Sequence, residues 1–344
     1  MDLGKEMSLK GYFNNEDEGE GDSFNGNDDG SNESLTNFIF DKHLFLGSSL
    51  RHDPIDYIPG ITSIKRTDLT SYLQEEDLTT LHHQCIFQSM DDSKQADFIL
   101  ANTVQELEAH SITAIEAQIP FYAIGPLFSP GFTKSPVATS LWAESYCIQW
   151  LDSRPPGSVL YVSFGSYAHI SKHELEEIAN GIKLSGVNFI CVIRPDMVSS
   201  DDLDPLPFGF RDEVCDRGMI VTWTCQVEVL SHRAIGGFLT HCGWNSTLES
   251  IWCEVPLLCF PLLTDQFTNR KLIVNDWKIG HNLCEEKPVK REEVTRKVKD
   301  LIGGSMGFEL KNNIKEIKRV LENAMRARGS SKQNVENFIE KLST

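Results

Sequence analysis

Short apolar runs alternate with amphipathic runs through the chain after residue 158. Runs of strand length are predicted as β-strands at residues 159–164, 189–193, 219–223, 237–240 and 257–260. The other segments are predicted as helices, at residues 172–185, 226–230, from 247, 266–277, 291–301, 309–328 and 334–342. Strands that alternate with helices form a doubly wound parallel sheet, which binds ligands at the carboxyl ends of its strands. The pattern therefore predicts an α/β fold of this kind.

The first part of the chain contains fewer strands. Only residues 98–102 and 121–126 have the pattern of buried strands, with helices predicted at 85–95 and 104–119 and a helical or irregular segment at 68–81. A doubly wound unit needs about four strands or more. We therefore expect the first α/β unit to be incomplete, with its earlier strands upstream of residue 1.

Composition divides the chain further. Residues 14–34 carry eight acidic residues and no basic ones, so residues 1–50 are predicted to be mostly disordered and acidic. Residues 129–145 are rich in Ser, Thr and Pro and are predicted to be a linker. The expected domains are thus residues 51–128 and 146–344, and the last helix is expected to pack back on the first domain.

Net charge and cysteine content limit the classes of partner and the cellular compartment that we expect for this protein. A formal net charge of −18 disfavours nucleic acid and anionic membrane surfaces, because both require basic patches. The longest apolar run, residues 255–263, contains a proline and is too short to span a bilayer. The nine cysteines have no framework spacing, several lie in apolar runs, and no secretory signal is visible. A cytoplasmic protein without a membrane span is expected.

The motifs of common cofactor and metal sites are missing from the sequence. There is no G-x-G-x-x-G and no G-x-x-x-x-G-K-[ST], which disfavours dinucleotide and P-loop binding. His232, His241 and Cys242 lack the spacing of zinc ligands. We therefore expect neither a cofactor nor a metal.

Polar clusters follow four of the five strands predicted after residue 158. They are Ser163 to Ser166, Trp223 to Gln226, His241 to Ser246, and Asp265 with Gln266. In the third cluster a glycine permits a sharp reversal, and a helix is predicted to begin at Ser246 or Thr247. A helix N-terminus presents unpaired N–H groups and a partial positive charge, so this turn could hold a diphosphate without Lys or Mg²⁺.

Each cluster also has a simpler interpretation. Ser246 and Glu249 have the spacing of a capping box, which is the favoured interpretation of that pair alone. A lone Trp such as Trp223 is more often a core residue than a stacking platform. Asp265 precedes a helix and could be its N-cap. Four such clusters at four strand ends are harder to explain by packing.

Residues 223–266 resemble the signature box of the plant secondary-product UDP-glycosyltransferases, which are inverting enzymes of the GT-B fold. The resemblance rests on a tryptophan at the first position of this segment, a glutamine at the fourth and the run H-C-G-W-N-S in the middle. A glutamate follows that run, and the segment ends in P-x-x-x-D-Q. It extends over residues 55–344 through ADFILANTVQELE, YAIGPL and SVLYVSFGS. The resemblance implies two Rossmann-like domains, with residues 51–128 a remnant of the acceptor-binding domain and residues 146–344 binding the UDP-sugar.

The family's roles can be carried onto matching residues. Trp223 would stack on uracil, with the Thr224 backbone reading its edge, and Gln226 and Glu249 would hold the ribose. The diphosphate would face Ser166, His241, Gly243, Asn245 and Ser246, and the sugar would face Trp244, Asp265 and Gln266. A terminal Gln resembles members that use UDP-glucose. The implied reaction transfers glucose, with inversion, to a hydroxyl of a small secondary metabolite.

One departure from the family concerns the general base. The family places this His near the N-terminus, followed by a proline and oriented by an Asp, but none of the ten histidines here has a proline three positions on. The catalytic residues are therefore not identified in this chain. The competing hypothesis is a catalytically impaired, N-terminally truncated fragment that binds the nucleotide sugar without transferring it.

Overall fold

A computed structural model describes residues 54–128, except 76 and 78, together with 145–198 and 204–343. The acidic segment predicted to be disordered, residues 1–50, lies outside the described residues. The predicted linker, residues 129–145, also lies outside them apart from Ser145.

Among the residues that the structure describes, the larger unit is built on a sheet of six parallel strands. These are β3 (Val159–Ser163), β4 (Asn188–Val192), β5 (Gly218–Val221), β6 (Ile235–Thr240), β7 (Leu257–Cys259) and β8 (Gly280–Asn282). Their order across the sheet is β5-β4-β3-β6-β7-β8, and every neighbouring pair is parallel. Every residue of β3 and of β6 is buried, as is usual for strands covered on both faces. The predicted doubly wound α/β fold is confirmed.

In the described part of the smaller unit lie two parallel strands, β1 (Ile99–Ala101) and β2 (Phe121–Ala123). Ahead of them lie two 3₁₀ turns, Arg66–Asp68 and Ser71–Leu73. A small apolar cluster of Ile58, Ile64, Leu69 and Leu73 packs beneath these turns.

Helices cover both units. In chain order they are α1 (Leu81–Lys94), α2 (Ala109–Glu116), α3 (Ile148–Asp152), α4 (Lys172–Ser185), α5 (Phe210–Glu213), α6 (Gln226–Leu230), α7 (Trp244–Trp252), α8 (Gln266–Lys271), α9 (Arg291–Gly303), α10 (Ser305–Ala324) and α11 (Ser330–Leu342). The last helix packs on β2 of the smaller unit, where the Phe338 ring lies 4.8 Å from Phe98 and 5.5 Å from Tyr122. No helix among the described residues is both long and apolar enough to cross a membrane.

Several elements differ from the sequence prediction. Helix α7 begins at Trp244, ahead of the predicted start, and the helix predicted at 104–119 shortens to α2. The helix predicted at 266–277 ends at Lys271 and continues as a π-helical turn, Leu272–Asp276. Strand β8 was not predicted, because Gly280-His-Asn has neither an apolar run nor a strand-like alternation.

Candidate functional site

The order of the large sheet creates a crevice at one place. The chain builds outward from β3 to β5, then returns to place β6 beside β3, so the loops after these two neighbours diverge. Ligands of doubly wound sheets bind at this switch point, at the carboxyl ends of the strands. The loop after β3 carries Ser166, and His241 directly follows β6. The candidate site is therefore where the topology alone would place one.

A cavity of about 220 Å³ opens at this crevice. Six of the predicted residues line it, namely Ser166, Trp223, Thr224, Gln226, Ser246 and Glu249. The others do not form its wall, and His241, Gly243, Trp244, Asn245, Asp265 and Gln266 lie along the adjoining edge of the sheet. A larger hollow, near Lys172 and Phe208, contains none of the predicted residues.

Helix α7 presents its N-terminus at the crevice. Gly243 has an extended backbone, with φ −60° and ψ 144°, and occupies the N-cap position, so Trp244, Asn245 and Ser246 form the first turn. The predicted capping box is wrong, because Ser246 lies inside the helix and its hydroxyl accepts a hydrogen bond from Gln226 at 2.9 Å. Glycine offers no side chain to the free N–H groups of the first turn. They remain a site for an anion.

The His241 imidazole is packed between two glycines. A Cβ atom on either Gly165 or Gly243 would overlap the ring, and Gly165 also has a left-handed backbone with φ +77°. Burial lowers the pKa of His241 to about 4, an effect that the Asp265 carboxylate opposes and the Arg194 guanidinium reinforces. The ring is therefore neutral at pH 7. Its Nδ1 is buried without a hydrogen-bond partner among the described residues, which is the condition of an atom that a ligand could satisfy.

Arg194 holds the loop that follows β3, and the sequence pattern did not single it out. Its side chain is 1% exposed and donates from Nη2 to the Ala168 carbonyl at 2.8 Å and from Nη1 to the Gly165 carbonyl. Nε donates to Asp196 Oδ1 at 3.0 Å. The sequence feature that could have identified Arg194 is its position as a charged residue directly after an apolar strand. Arg194 thus sets the path of the glycine that packs on His241.

A hydrogen-bond network runs along the floor of the cavity. Gln226 donates from Nε2 to Glu249 Oε2 at 2.7 Å, as well as to Ser246, and its Oε1 accepts from the Tyr161 hydroxyl at 3.4 Å. Tyr161 also lies 3.1 Å from the Thr224 hydroxyl. Burial raises the pKa of the Glu249 carboxyl, and the bond from Gln226 opposes that rise. Tyr161 was missed because it lies within an apolar strand.

Trp223 and Thr224 occupy the loop after β5. Trp223 is half-buried on the cavity wall and is not among the described side chains that pack against either large apolar core. Its carbonyl accepts a hydrogen bond from the Ser145 N–H at 2.9 Å. The Thr224 hydroxyl is engaged with Tyr161 in the network on the cavity floor.

The side chains of Trp244 and Asn245 turn toward the smaller unit. The Trp244 indole N–H donates to the Asn102 carbonyl at 2.6 Å, so this donor is already engaged. Asn245 is exposed, and its Oδ1 accepts from Asn102 Nδ2 at 3.4 Å, which leaves the Asn245 amide N–H groups as donors.

Asp265 and Gln266 follow β7 at the outer end of the edge. Gln266 is buried and its Oε1 accepts from the N–H groups of Leu262 and Leu263, at 2.9 and 3.0 Å. Asp265 is exposed and occupies the N-cap position of α8, but its carboxylate forms no capping bond within the described chain. It accepts from Asn269 Nδ2 at 2.8 Å instead. No group of three or more His, Cys, Asp or Glu residues could hold a metal ion among the described residues.

Comparison with known proteins identifies a family whose sequence model covers the residues around the crevice. A sequence model of the family described as UDP-glucoronosyl and UDP-glucosyl transferase matches residues 146–323. UDP-glycosyltransferase 86A1 of Arabidopsis thaliana is 55% identical over 296 residues, which cover 85% of this chain and 60% of that protein. A 7-deoxyloganetin glucosyltransferase of Gardenia jasminoides is 39% identical over 87% of this chain and 63% of its own length. This chain thus spans about 60% of the length of these relatives.

A solved structure with a similar fold is UGT2 of Phytolacca americana in complex with UDP-2-fluoro-glucose and pterostilbene. The two chains superpose with a TM-score of 0.75 at 31% identity, over 90% of this chain and 69% of the other. The parallel sheets and the similarity to this enzyme agree with the predicted GT-B fold.

Proposed function

This chain belongs to the UDP-glucoronosyl and UDP-glucosyl transferase family, and we propose that it binds UDP-glucose across the carboxyl edge of the large sheet. The observation that carries the proposal is the cavity at the switch point, which six of the predicted residues line. The Gardenia relative is a glucosyltransferase, and the Phytolacca structure holds UDP-2-fluoro-glucose. Both support a glucose donor.

The donor would lie in three successive parts of the site. Uracil would stack on Trp223 while the Thr224 backbone reads its edge, and Gln226 and Glu249 would hold the ribose hydroxyls. The diphosphate would lie against the first turn of α7, with donors from Ser166, Gly243, Asn245 and Ser246 and from the neutral ring of His241. The glucose would reach the Trp244 backbone, Asp265 and Gln266.

We propose that the bound donor transfers its glucose to a hydroxyl of a small secondary metabolite, with inversion. A base removes the hydroxyl proton, the oxygen bonds to the anomeric carbon on the face opposite the diphosphate, and UDP departs with the electrons of the broken C–O bond. Negative charge develops on the diphosphate. The α7 N-terminus and the His241 N–H would stabilise it, because fixed donors aimed at developing charge lower a barrier.

Two smaller proposals follow from the same residues. The reaction needs no metal or cofactor, since a helix terminus and neutral donors replace a cation at the diphosphate. The protein works in the cytosol, a proposal that its nine free cysteines support, because thiols stay reduced there.

A second candidate function is donor binding without transfer. The observation that favours it is that none of the ten histidines has the spacing of the family's general base. A positioned base typically contributes ~10²–10⁴-fold to a rate, so a chain without one would turn over slowly even with the donor in place.

Turnover distinguishes the two candidates. Purified protein is incubated with UDP-glucose and a panel of phenolic and terpenoid alcohols, and UDP release is measured together with the anomeric configuration of the product. Inverted glucoside formed at a rate that Trp223→Ala abolishes supports transfer. Saturable donor binding with no product from any acceptor contradicts transfer and supports the second candidate.

A further inference from the structure

The loop proposed to hold the donor sugar is attached to the smaller unit. Thr264, which precedes Asp265, exchanges two hydrogen bonds with Ser71 in the second 3₁₀ turn. The Ser71 N–H donates to the Thr264 carbonyl at 3.1 Å, and the Thr264 N–H donates to Ser71 Oγ at 2.9 Å. Both main-chain polar groups of Thr264 are thus bound by one residue far away in the sequence.

The backbone conformation of Thr264 is one that these two hydrogen bonds stabilise. Its φ is +53°, a left-handed conformation that is rare and strained for a β-branched residue. Such a conformation persists only where the surroundings over-determine it. The two bonds from Ser71 supply that constraint.

The conformation of Thr264 determines where the next two side chains lie. The Thr264 hydroxyl donates to Asp265 Oδ1 at 2.9 Å, while Asn269 donates to Oδ2, so the carboxylate is held from both sides. Gln266 closes the same loop by accepting from two backbone N–H groups. A change of φ at Thr264 would redirect all of these groups at once.

Asp68, in the first 3₁₀ turn, reinforces the attachment. The Asp68 side chain is 9% exposed and its carboxylate pairs with Arg270 of α8, while the Asp68 carbonyl accepts from the Thr268 hydroxyl at 2.8 Å. The second turn is itself anchored, because the buried His83 ring lies 2.6 Å from the Tyr72 carbonyl through Nε2. The contact therefore joins two ordered parts of the molecule.

We infer that Ser71 and Asp68 are positioning residues for the donor sugar, which they serve by holding Thr264 so that Asp265 and Gln266 face the glucose. The inference rests on the proposed function. It assigns to the smaller unit a part in donor binding, and it separates the sugar from the nucleotide. UDP alone would not use the loop, whereas UDP-glucose would.

The test compares the two ligands by calorimetry on the full chain. Ser71→Ala removes the bond to the Thr264 N–H and leaves the bond from the Ser71 N–H. We expect the dissociation constant for UDP-glucose to rise roughly 3–10-fold, as for one hydrogen bond, and that for UDP to change less than about twofold. Ser71→Thr, which keeps the hydroxyl, should restore the wild-type ratio of the two constants.

Two further variants distinguish an effect on the position of the Thr264 loop from a general loss of protein stability. Thr268→Val removes the bond to the Asp68 carbonyl at nearly constant volume and should shift the ratio in the same direction. Ser89→Ala is the matched control, because its hydroxyl donates to the Cys85 carbonyl at 2.8 Å in the exposed helix α1. It should change neither constant.

The outcomes distinguish the two proposals. If the wild type binds both ligands and Ser71→Ala leaves the ratio of the two dissociation constants unchanged, the positioning role is refuted and the proposed function stands. Equal weakening of UDP and UDP-glucose counts as this outcome. If the folded wild type binds neither ligand, the proposed function fails and the inference that rests on it fails as well.

Discussion

His241 combines features that ordinary core histidines do not share. It is buried between two glycines, it is neutral at pH 7, and one ring nitrogen has no partner in the described part of the chain. A neutral ring can donate to a diphosphate without the cost of burying a permanent cation.

The lowered pKa of His241 predicts how stability depends on pH. Between pH 6.5 and about 4 the unfolded chain binds a proton at this residue that the folded chain does not. The free energy of unfolding should therefore fall as the pH is lowered through that window, by roughly 3 kcal/mol at most. Urea unfolding of the wild type and His241→Asn at pH 7 and pH 5 measures the effect.

We expect His241→Asn to lose less stability than the wild type between these two pH values. The exposed His110→Asn serves as the control and should keep the wild-type difference. A His241→Asn protein with the same acid sensitivity as the wild type would show that the ring is not held neutral by burial.

At the scale of elements, the site depends on two close approaches, one in the loop after β3 and one at the start of α7. Gly165 and Gly243 let both elements contact the same imidazole ring. Helix α7 begins at Trp244 because Gly243 adopts the extended backbone of an N-cap. The sequence prediction favoured the side-chain cap at Ser246 and so placed the helix start too late.

Gly165→Ala tests the close approach of the loop. The added methyl would overlap His241 and would also strain a left-handed backbone, so the Kd for UDP should rise more than about tenfold. Gly186→Ala is a matched control, because Gly186 has φ +72° and no described heavy atom lies within 4 Å of the added methyl. Gly186→Ala therefore has the strain of a left-handed backbone but no overlap of the added methyl with a neighbouring side chain.

Both alanine variants should lose stability by about 1–2 kcal/mol from the left-handed backbone. Calorimetric titration with UDP, together with urea unfolding, separates this shared cost from the loss of binding. Equal affinity for UDP in the two variants would contradict the role of the Gly165 approach.

The elements that sequence alone predicts well are those with local signals. Helix α4 has the predicted bounds, because Ser171 caps its N-terminus and Gly186 ends it with a left-handed backbone. The polar clusters at strand ends were also visible as spacing. Tyr161 and Arg194 were missed, because the role of each depends on partners from other strands and loops that no local pattern encodes.

At the scale of the whole molecule, the smaller unit and the large sheet are joined at several places. Asn102 contacts the first turn of α7, Ser71 contacts the loop after β7, and α11 packs on β2. The first contact involves two residues proposed for the donor site, and the second holds the loop that leads into two more. The smaller unit therefore contacts elements that carry the proposed donor site.

Phe338 in α11 provides a test of this connection. Its ring packs edge-on against Phe98 and beside Tyr122. Phe338→Ala should reduce the free energy of unfolding by about 1–3 kcal/mol, through lost aromatic packing at a half-buried position. Ile339→Ala, at a neighbouring position that is 56% exposed, should change it by less than about 0.5 kcal/mol.

Urea unfolding of the two variants supplies the comparison, and hydrogen exchange of the β1 and β2 amides locates the effect. Faster exchange in these strands is expected for Phe338→Ala alone. Equal destabilisation by both variants would mean that α11 does not hold the smaller unit in place.

The central claim is that the cavity at the β3–β6 switch point binds the uridine of a UDP-sugar. The most direct measurement is a calorimetric titration of the purified chain with UDP-glucose, beside Trp223→Ala and Trp223→Phe. We expect saturable binding by the wild type, loss of at least about tenfold in affinity for the Ala variant, and a smaller loss for Phe, which keeps an aromatic face. Binding that Trp223→Ala leaves unchanged, or no binding by folded wild-type protein, would contradict the claim.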